Sequence, residues 1–220
     1  MAKINSIDNK SSELSIDPGA SGDSFIQFAI NTTGEFRIGV DDDASDSFKI
    51  SQGSALGTND TFIMSDTGER TMPLQPCFLA HINSDISNVT GDGTVYTAVW
   101  DSEEFDQGGD FDGTSTFTAP VTGKYHFVAQ INPTGMTSSN NQGYIEIAAT
   151  GDTYRGNILE FSNAMYSNTY ILMINALIPM TAADTAVLKV MVDGSTKTVG
   201  IQGNTGAGSQ NTFFSCNLVC

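Results

Sequence analysis

The residues whose types and spacing come closest to a chemical site are three acids in the stretch FDQGGDFDGT: Asp106, Asp110 and Asp112. Closely spaced carboxylates beside glycines are typical of calcium loops. The EF-hand pattern, however, also needs a third acid in the order D-x-D-x-D-G and a bidentate glutamate at the end of the loop, and this stretch has neither. Because Asp also caps backbone amides in turns, we interpret these acids as turn residues, with calcium binding as the alternative.

A second group of acids is the run DDDASD, Asp41–Asp46. A charge run of this kind is typical of a solvated loop. If three chains meet on one axis, however, three copies of the run converge, and a cation would relieve their repulsion. No cofactor other than calcium is expected. The candidate calcium ligands are Asp41, Asp42, Asp43, Asp110 and Asp112.

Catalytic patterns are not found in the sequence. The histidines His81 and His126 both lie on predicted strands, and the chain has no G-x-S-x-G, H-E-x-x-H or phosphate-loop motif. The adjacent acids Glu103 and Glu104 point to opposite faces of a strand, unlike the paired carboxylates of glycosidases. Trp100 is interpreted as a core or subunit-interface residue, with a sugar-stacking platform as the alternative. We therefore predict that the protein is not an enzyme.

The charge balance excludes several partner classes. With 9 basic and 25 acidic residues the net charge is −16, so nucleic acid and anionic membrane surfaces are repelled. No apolar run reaches the roughly 18 residues that span a membrane, and we expect no membrane insertion. The start, MAKINSIDNKSSELSID, has no apolar run of signal-peptide length, and the spacing of the cysteines Cys77, Cys216 and Cys220 is unlike a zinc site or disulfide framework. We expect synthesis in a reducing bacterial cytoplasm.

The elements that must position these residues are strands. The chain has 22 glycines and no sustained helical periodicity, which predicts an all-β protein. Before residue 70, short apolar bursts (FIQFAI, FRIGV, FKIS, TFIMS) alternate with turn clusters, and so small a segment is near the limit for folding alone. Pro73 and Pro76 then favour an extended connector. The predicted organisation is an attachment segment at 1–20, a β-rich stalk at 21–73 and a head at 74–220.

The head strands are longer. KYHFVAQI alternates apolar and polar residues from Lys124 to Ile131, as expected for a sheet with one buried face. TYILMINALIPM, Thr169 to Met180, is nearly continuous in apolar residues, which predicts a strand buried on one face by its own sheet and on the other by a neighbouring subunit. Several such strands in the head indicate a sandwich or jelly roll.

The stretch FDGTSTFTAPVTGKYHF resembles the signature of the globular head of the first complement component's q subcomponent, a jelly roll of the tumour necrosis factor superfamily. CFLAHI, IPMTAADTAVLKV and NTFFSCNLV add further matches, so the resemblance covers most of residues 77–219. The chain departs from the family at Ala183-Asp184, where a Gly-Asp pair is usual, and at Ser215-Cys216-Asn217, where Ser-Gly-Phe is usual. The signature residues are Asp112, Phe117, Pro120, Gly123, Tyr125 and Phe127.

The N-terminal region, GEFRIGVDDDASDSFKISQGSALGTNDTFIMSDTGE, is similar to repeats in the stalks of bacteriophage tail fibres. Together the two resemblances imply an intertwined trimeric virion fibre whose N-terminus attaches to other virion proteins. The head then binds a host-surface glycan or protein, and the alternative is a structural or decorating virion protein. Glycine-rich polar loops, NPTGMTSSNNQG and QGNTGAGSQN, suit such binding. The predicted receptor-binding residues are Asn132, Thr134, Ser138, Asn140, Asn141, Asn204, Ser209 and Gln210.

Overall fold

The structure, a computed structural model, describes residues 16, 22–30, 33–160, 170–204 and 210–220. The chain divides into two compact units, Met1–Leu74 and Gln75–Cys220. Within the described residues, no helix is long and apolar enough to cross a membrane. The first unit contains β1 (Ser24–Ile30), β2 (Thr33–Asp41), a short 3-10 helix (Asp42–Ala44), β3 (Ser47–Gln52), β4 (Asp60–Met64) and β5 (Arg70–Thr71).

The first unit is a five-stranded antiparallel meander in the order β1-β2-β3-β4-β5. Its alternating bursts put apolar side chains on one face, because residues directly opposite each other on neighbouring strands share a face. Ile26 pairs with Ile38, Ile38 with Ile50, and Ile50 with Phe62. We call this surface the apolar face. It consists of Ile26, Phe28, Phe36, Ile38, Val40, Phe48, Ile50, Phe62 and Met64.

The opposite face of this sheet carries a buried polar network. Lys49 Nζ lies 2.7 Å from Asp41 Oδ2 and 3.3 Å from Asp60 Oδ2. Ser51, which is fully buried, donates a hydrogen bond to Asp60. Burial lowers the pKa of Lys49, but the hydrogen bonds and charges of Asp41 and Asp60 outweigh that effect and hold it above its ordinary value. The first unit therefore buries side chains on the polar face of its sheet rather than on the apolar face.

The second unit has two main sheets and a small third one. Its strands are β6 (Cys77–His81), β7 (Ile86–Thr90), β8 (Tyr96–Thr97), β9 (Ser102–Gln107), β10 (Thr116–Thr118), β11 (Gly123–Ile131), β12 (Pro133–Thr134), β13 (Gln142–Ala149), β14 (Asp152–Glu160), β15 (Leu172–Met180), β16 (Thr185–Asp193), β17 (Val199–Ile201) and β18 (Phe213–Leu218).

The strand order of the second unit is that of a jelly roll. One sheet, which we call the inner sheet, runs β15-β11-β18-β6-β9, and the facing sheet runs β10-β16-β13-β14 with β8 beside β16. The chain crosses between the sheets from β10 to β11, from β14 to β15 and from β16 to β18, so neighbouring strands are distant in sequence. The all-β class and the jelly-roll head predicted from the sequence are both confirmed.

The core lies between these sheets and is rich in aromatic rings. Phe78 stacks on Phe111 with ring centroids 4.6 Å apart, and Phe214 contacts Phe78, Trp100 and Phe127. Trp100 is only 1% exposed, which confirms its interpretation as a core residue. Aromatic pairs at such distances stabilise a core beyond the area they bury. This core holds the two sheets rigidly beneath the loops that connect their strands.

Candidate functional site

The acidic stretch that resembles a metal loop forms a turn. Asp112 Oδ1 accepts hydrogen bonds from the backbone amides of Thr114, Ser115 and Thr116 at 2.7–2.9 Å. Desolvation by the surrounding protein raises the pKa of Asp112, but the amides that donate to the ionised carboxylate outweigh this and lower the pKa well below its ordinary value. The carboxylate therefore caps the turn that leads into β10, as the turn interpretation predicts.

The neighbouring acids have similar local roles. Asp106 accepts from the amides of Asp110 and Phe111 at 3.2 and 3.1 Å. Desolvation and the charge of Asp106 both raise the pKa of Asp110. Asp110 and Asp112 belong to the second unit. Within the part of the chain that the structure describes, no group of three or more His, Cys, Asp or Glu residues is arranged to hold a metal ion.

The acids Asp41, Asp42 and Asp43 lie in the first unit. Asp41 is buried and paired with Lys49. Asp42 and Asp43 are exposed in the first turn of the 3-10 helix, and Asp42 Oδ2 accepts from the amide of Gly22 at 3.2 Å. The candidate calcium ligands thus have protein partners at Asp41, Asp42 and Asp112, and calcium binding stays a prediction.

The histidines lie on the inner sheet and contact amide side chains. His81 Nε2 lies 3.1 Å from Asn83 Oδ1, and His126 Nε2 lies 2.7 Å from Asn175 Oδ1. His81 is buried at the end of β6, whereas His126 lies on the outer surface of β11. A general base is usually oriented by a carboxylate or a nucleophile within hydrogen-bond reach. The two described contacts are instead with the amide oxygens of asparagines.

Three connecting segments meet at one end of the head. The chain enters the head at the other end, where Gln75 donates to the Leu218 carbonyl and the Lys124 amide donates to Cys220. The strand β11 runs away from that end and finishes at Ile131, so the loop that begins at Asn132 lies opposite. The Gln202 amide donates to the Asn132 carbonyl at 2.9 Å, which brings the second predicted loop beside the first.

A third segment, residues 82–85, completes this end. The Asn204 amide donates to the Ile82 carbonyl at 2.7 Å, and the Gly203 amide donates to Asp85 Oδ1 at 2.8 Å. A Cβ atom on Gly203 would come within 2.5 Å of the Ser84 carbonyl carbon, so only glycine permits this close approach. A small sheet of β12, β17 and β7 supports the same three segments. We call this surface the loop end of the head.

The predicted receptor-binding residues divide into supporting and exposed groups. Asn132 is 4% and Asn140 is 1% exposed. Asn140 Oδ1 accepts from the Thr137 amide at 2.8 Å, and its Nδ2 donates to the Asp193 carbonyl at 3.3 Å, so it braces the loop from inside. Thr134 and Asn204 are half-buried, and Ser209 lies outside the described residues. The exposed positions are Ser138, Asn141 and Gln210.

Sequence reasoning missed the residues that join the three segments. Asp85 and Gly203 are separated by 118 positions, and no periodicity or motif links them. The Asn211 amide donates to Asn204 Oδ1 at 2.9 Å, which tethers the end of the second loop. Asn132 Oδ1 and Asn204 Nδ2 are buried and make no hydrogen bond with described residues. The contacts of Asp85, Gly203 and Asn204 thus hold the three segments of the loop end together.

The comparisons with known proteins concern the fold alone. No protein-family model matches the chain, and no curated protein matches it in sequence. Among solved structures, the globular domain of zebrafish complement 1qA is 13% identical, with 66% of this chain and 98% of that chain covered and a TM-score of 0.44. A crystal structure of murine APRIL at pH 8.5 is 11% identical, with 66% and 99% covered and a TM-score of 0.44. The jelly-roll fold of the head is established by its own strand order.

Proposed function

We propose that this chain is a trimeric bacteriophage fibre protein whose head binds a host-surface glycan or protein. The observation that carries the proposal is the loop end of the head, which gathers three polar segments opposite the point where the chain enters. Loops held by a rigid scaffold are favoured places for recognition, because the scaffold fixes their backbone while their polar side chains adapt to a ligand. Ser138, Asn141 and Gln210 are the exposed members at this end.

One surface of the inner sheet faces away from the core of the head, and this surface supports assembly into trimers. The strand β15 alternates, so that Leu172 and Ile178 are buried, whereas Met173 is 46% and Leu177 is 54% exposed. Phe105, on β9 of the same sheet, is 49% exposed. Large apolar side chains exposed on one sheet surface are typical of an interface. Packing around a three-fold axis buries them and accounts for the nearly continuous apolar sequence of this strand.

The assignment to a virion rests on the resemblance of the motif at residues 34–69 to tail-fibre stalk repeats. On this proposal the protein is made in the host bacterial cytoplasm, and residues 1–20 attach it to other virion proteins. Deleting those residues should release the fibre from particles and leave the head folded. Particles that retain the truncated protein count against this attachment.

Trimeric display favours recognition through weak contacts. Three linked heads raise the effective concentration of each binding site into roughly the millimolar range, so a weak single-site affinity suffices for attachment. The chain's net charge of −16 is unsuited to anionic ligands held by charge alone. The ligand class that fits these loops is therefore a neutral polar surface, such as glycan hydroxyls, which amide side chains bind by hydrogen bonds.

The test is competition for phage adsorption. Purified trimer is mixed with host cells before infection, and adsorbed phage are counted. We expect saturating protein to reduce adsorption, and the double variant Asn141→Trp/Gln210→Trp to lose this effect. The control Ala182→Trp places the same bulky side chain at an exposed position of the turn between β15 and β16, at the opposite end of the head. If cells bind none of the wild-type trimer and adsorption is unchanged, the structural or decorating role replaces recognition.

A further inference from the structure

The apolar face of the first unit is only partly covered in a single chain, where Ile16 lines a shallow depression beside Ile26 and Ile38. Phe28 is 57%, Ile26 46% and Phe36 44% exposed, and the six other members are half-buried. Within the described residues of this unit, Leu56 is the only buried apolar side chain. The unit therefore has almost no hydrophobic core of its own, although its sequence supplies the residues for one. A sheet with one apolar face needs a second layer to bury that face.

We infer that the apolar face is the contact through which the first units of three copies of this chain pack together. The inference rests on the proposed trimer and adds a second interface to the one on the head. Four strands at roughly 4.8 Å spacing, with about 20 Å of strand length, give a patch on the order of 400 Å². This is the footprint of the face in one chain, and apolar patches of roughly 300–600 Å² are often functional.

The absence of charge on this face favours another copy of the chain as its occupant. The nine members of the apolar face carry no charge. Copies with a net charge of −16 repel each other wherever their acids meet, but at this face no acids meet. The acids Asp41 and Asp60 lie on the opposite face, where both pair with Lys49. In the inferred contact, each sheet therefore packs against the other copies through its uncharged apolar face.

The lack of a core also favours a permanent partner. A unit with so few buried apolar side chains gains little free energy by folding alone. Its partner must be present whenever the chain folds, and other copies of the same chain meet that condition. Folding of the first unit is therefore coupled to association of the chains.

The contact is tested with a photoreactive benzoylphenylalanine at position 28 of the full-length protein. This substitution keeps an aromatic side chain on the apolar face, and position 27 on the opposite face serves as the control. We expect irradiation to give covalent dimers and trimers of the 23.3 kDa chain from position 28 and only monomers from position 27. Cross-links from position 28 to residues 1–21 of the same chain overturn the inference, as does the lack of any cross-link.

A pair of charge variants tests whether the contact is needed for folding. The double variant Ile26→Asp/Phe28→Asp places two charges on side chains that are about half exposed in the single chain. If the face is open, water solvates the charges and the stability of the first unit changes little. If other copies cover the face, the charges are buried and the unit is strongly destabilised. We expect amide hydrogen exchange in β2–β4 to become at least tenfold faster. The control Gln27→Glu adds charge to the opposite face of the same strand, keeps an acceptor for Arg37 and should leave the exchange unchanged. Unchanged exchange in the double variant contradicts the inference.

Light scattering on the same samples separates the two proposals. A trimeric mass combined with unchanged exchange and no cross-link rejects the contact between first units and leaves the head trimer standing. A monomeric mass for the wild-type protein rejects both.

Discussion

At the scale of single residues, the acids of this chain act mainly on their own backbone or on a neighbouring base. Asp112 accepts three backbone amides in the turn before β10, and Asp41 binds Lys49. In Glu69, hydrogen bonds from Ser65 and Thr67 lower the pKa to about 2. A carboxylate whose pKa is lowered in this way is stabilised in its ionised form, so Asp112 and Glu69 link the folded state to pH.

We predict that Asp112→Ala, which removes the acceptor for three backbone amides, destabilises the head by about 1 kcal/mol at neutral pH, as for the loss of a helix cap; the side chain is exposed, so solvent screens its charge. The folded-state pKa of Asp112 is lowered, so its contribution is present above the unfolded pKa of about 3.9 and is lost as the pH falls through the folded value.

Urea unfolding of the head, followed by the fluorescence of the single tryptophan Trp100, measures this effect at several pH values. The difference between wild type and variant should shrink below pH 4, where the unfolded Asp is protonated. A difference that is constant across this range contradicts the capping role.

At the scale of elements, the polar network of the first unit shows how a small sheet buries charge. Lys49 on β3 bridges Asp41 on β2 and Asp60 on β4, so three neighbouring strands are joined by one cation. All three side chains are less than 10% exposed. Removing one partner of such a group leaves uncompensated charge in the interior.

We predict that Lys49→Met destabilises the first unit by about 3–5 kcal/mol, because two buried carboxylates are then left without their cation. The triple variant Lys49→Met/Asp41→Asn/Asp60→Asn should recover most of that loss, since it removes the unpaired charges as well. Amide hydrogen exchange of β3 measures both effects. A triple variant as unstable as Lys49→Met would show that the loss comes from packing and not from charge.

The alternation of β11 was predictable from sequence, because Tyr125, Phe127, Ala129 and Ile131 recur at every second position and are all buried. The stretch Thr169 to Met180 was expected to be buried on one face by its own sheet and on the other by a neighbouring subunit. In the single chain β15 alternates, and Met173 and Leu177 lie on the exposed face. The number of strands indicated a sandwich or jelly roll, and the sequence signature favoured the jelly roll, since periodicity says nothing of which strands pair.

The candidate site was less predictable than the sheets. Glycine-rich loops indicated where the chain turns, but Asn140 is buried, because a short polar side chain can replace missing backbone partners inside a loop. The contact of Gly203 with Asp85 joins positions far apart in sequence. Such pairs depend on the complete topology, and no local pattern encodes them.

At the scale of the whole molecule, both units expose apolar sheet surfaces, and the chain has a net charge of −16. Dispersed acids keep such a protein soluble, while uncharged surfaces allow copies to associate. We predict a stable trimer of about 70 kDa, three times 23.3 kDa, by light scattering. Because the contacts are apolar, the trimer should persist at high salt, where surface ion pairs are screened. A folded monomer contradicts this assembly.

The central claim is that the head recognises the host from the far end of a fibre, and the position of the head on the virus particle tests it most directly. Gold-labelled antibodies against the head and against residues 1–20 can be located on particles by electron microscopy. The account predicts head labels at the free tips of tail fibres and N-terminal labels at their bases. Head labels spread over the capsid, or particles that bind neither antibody, would contradict it.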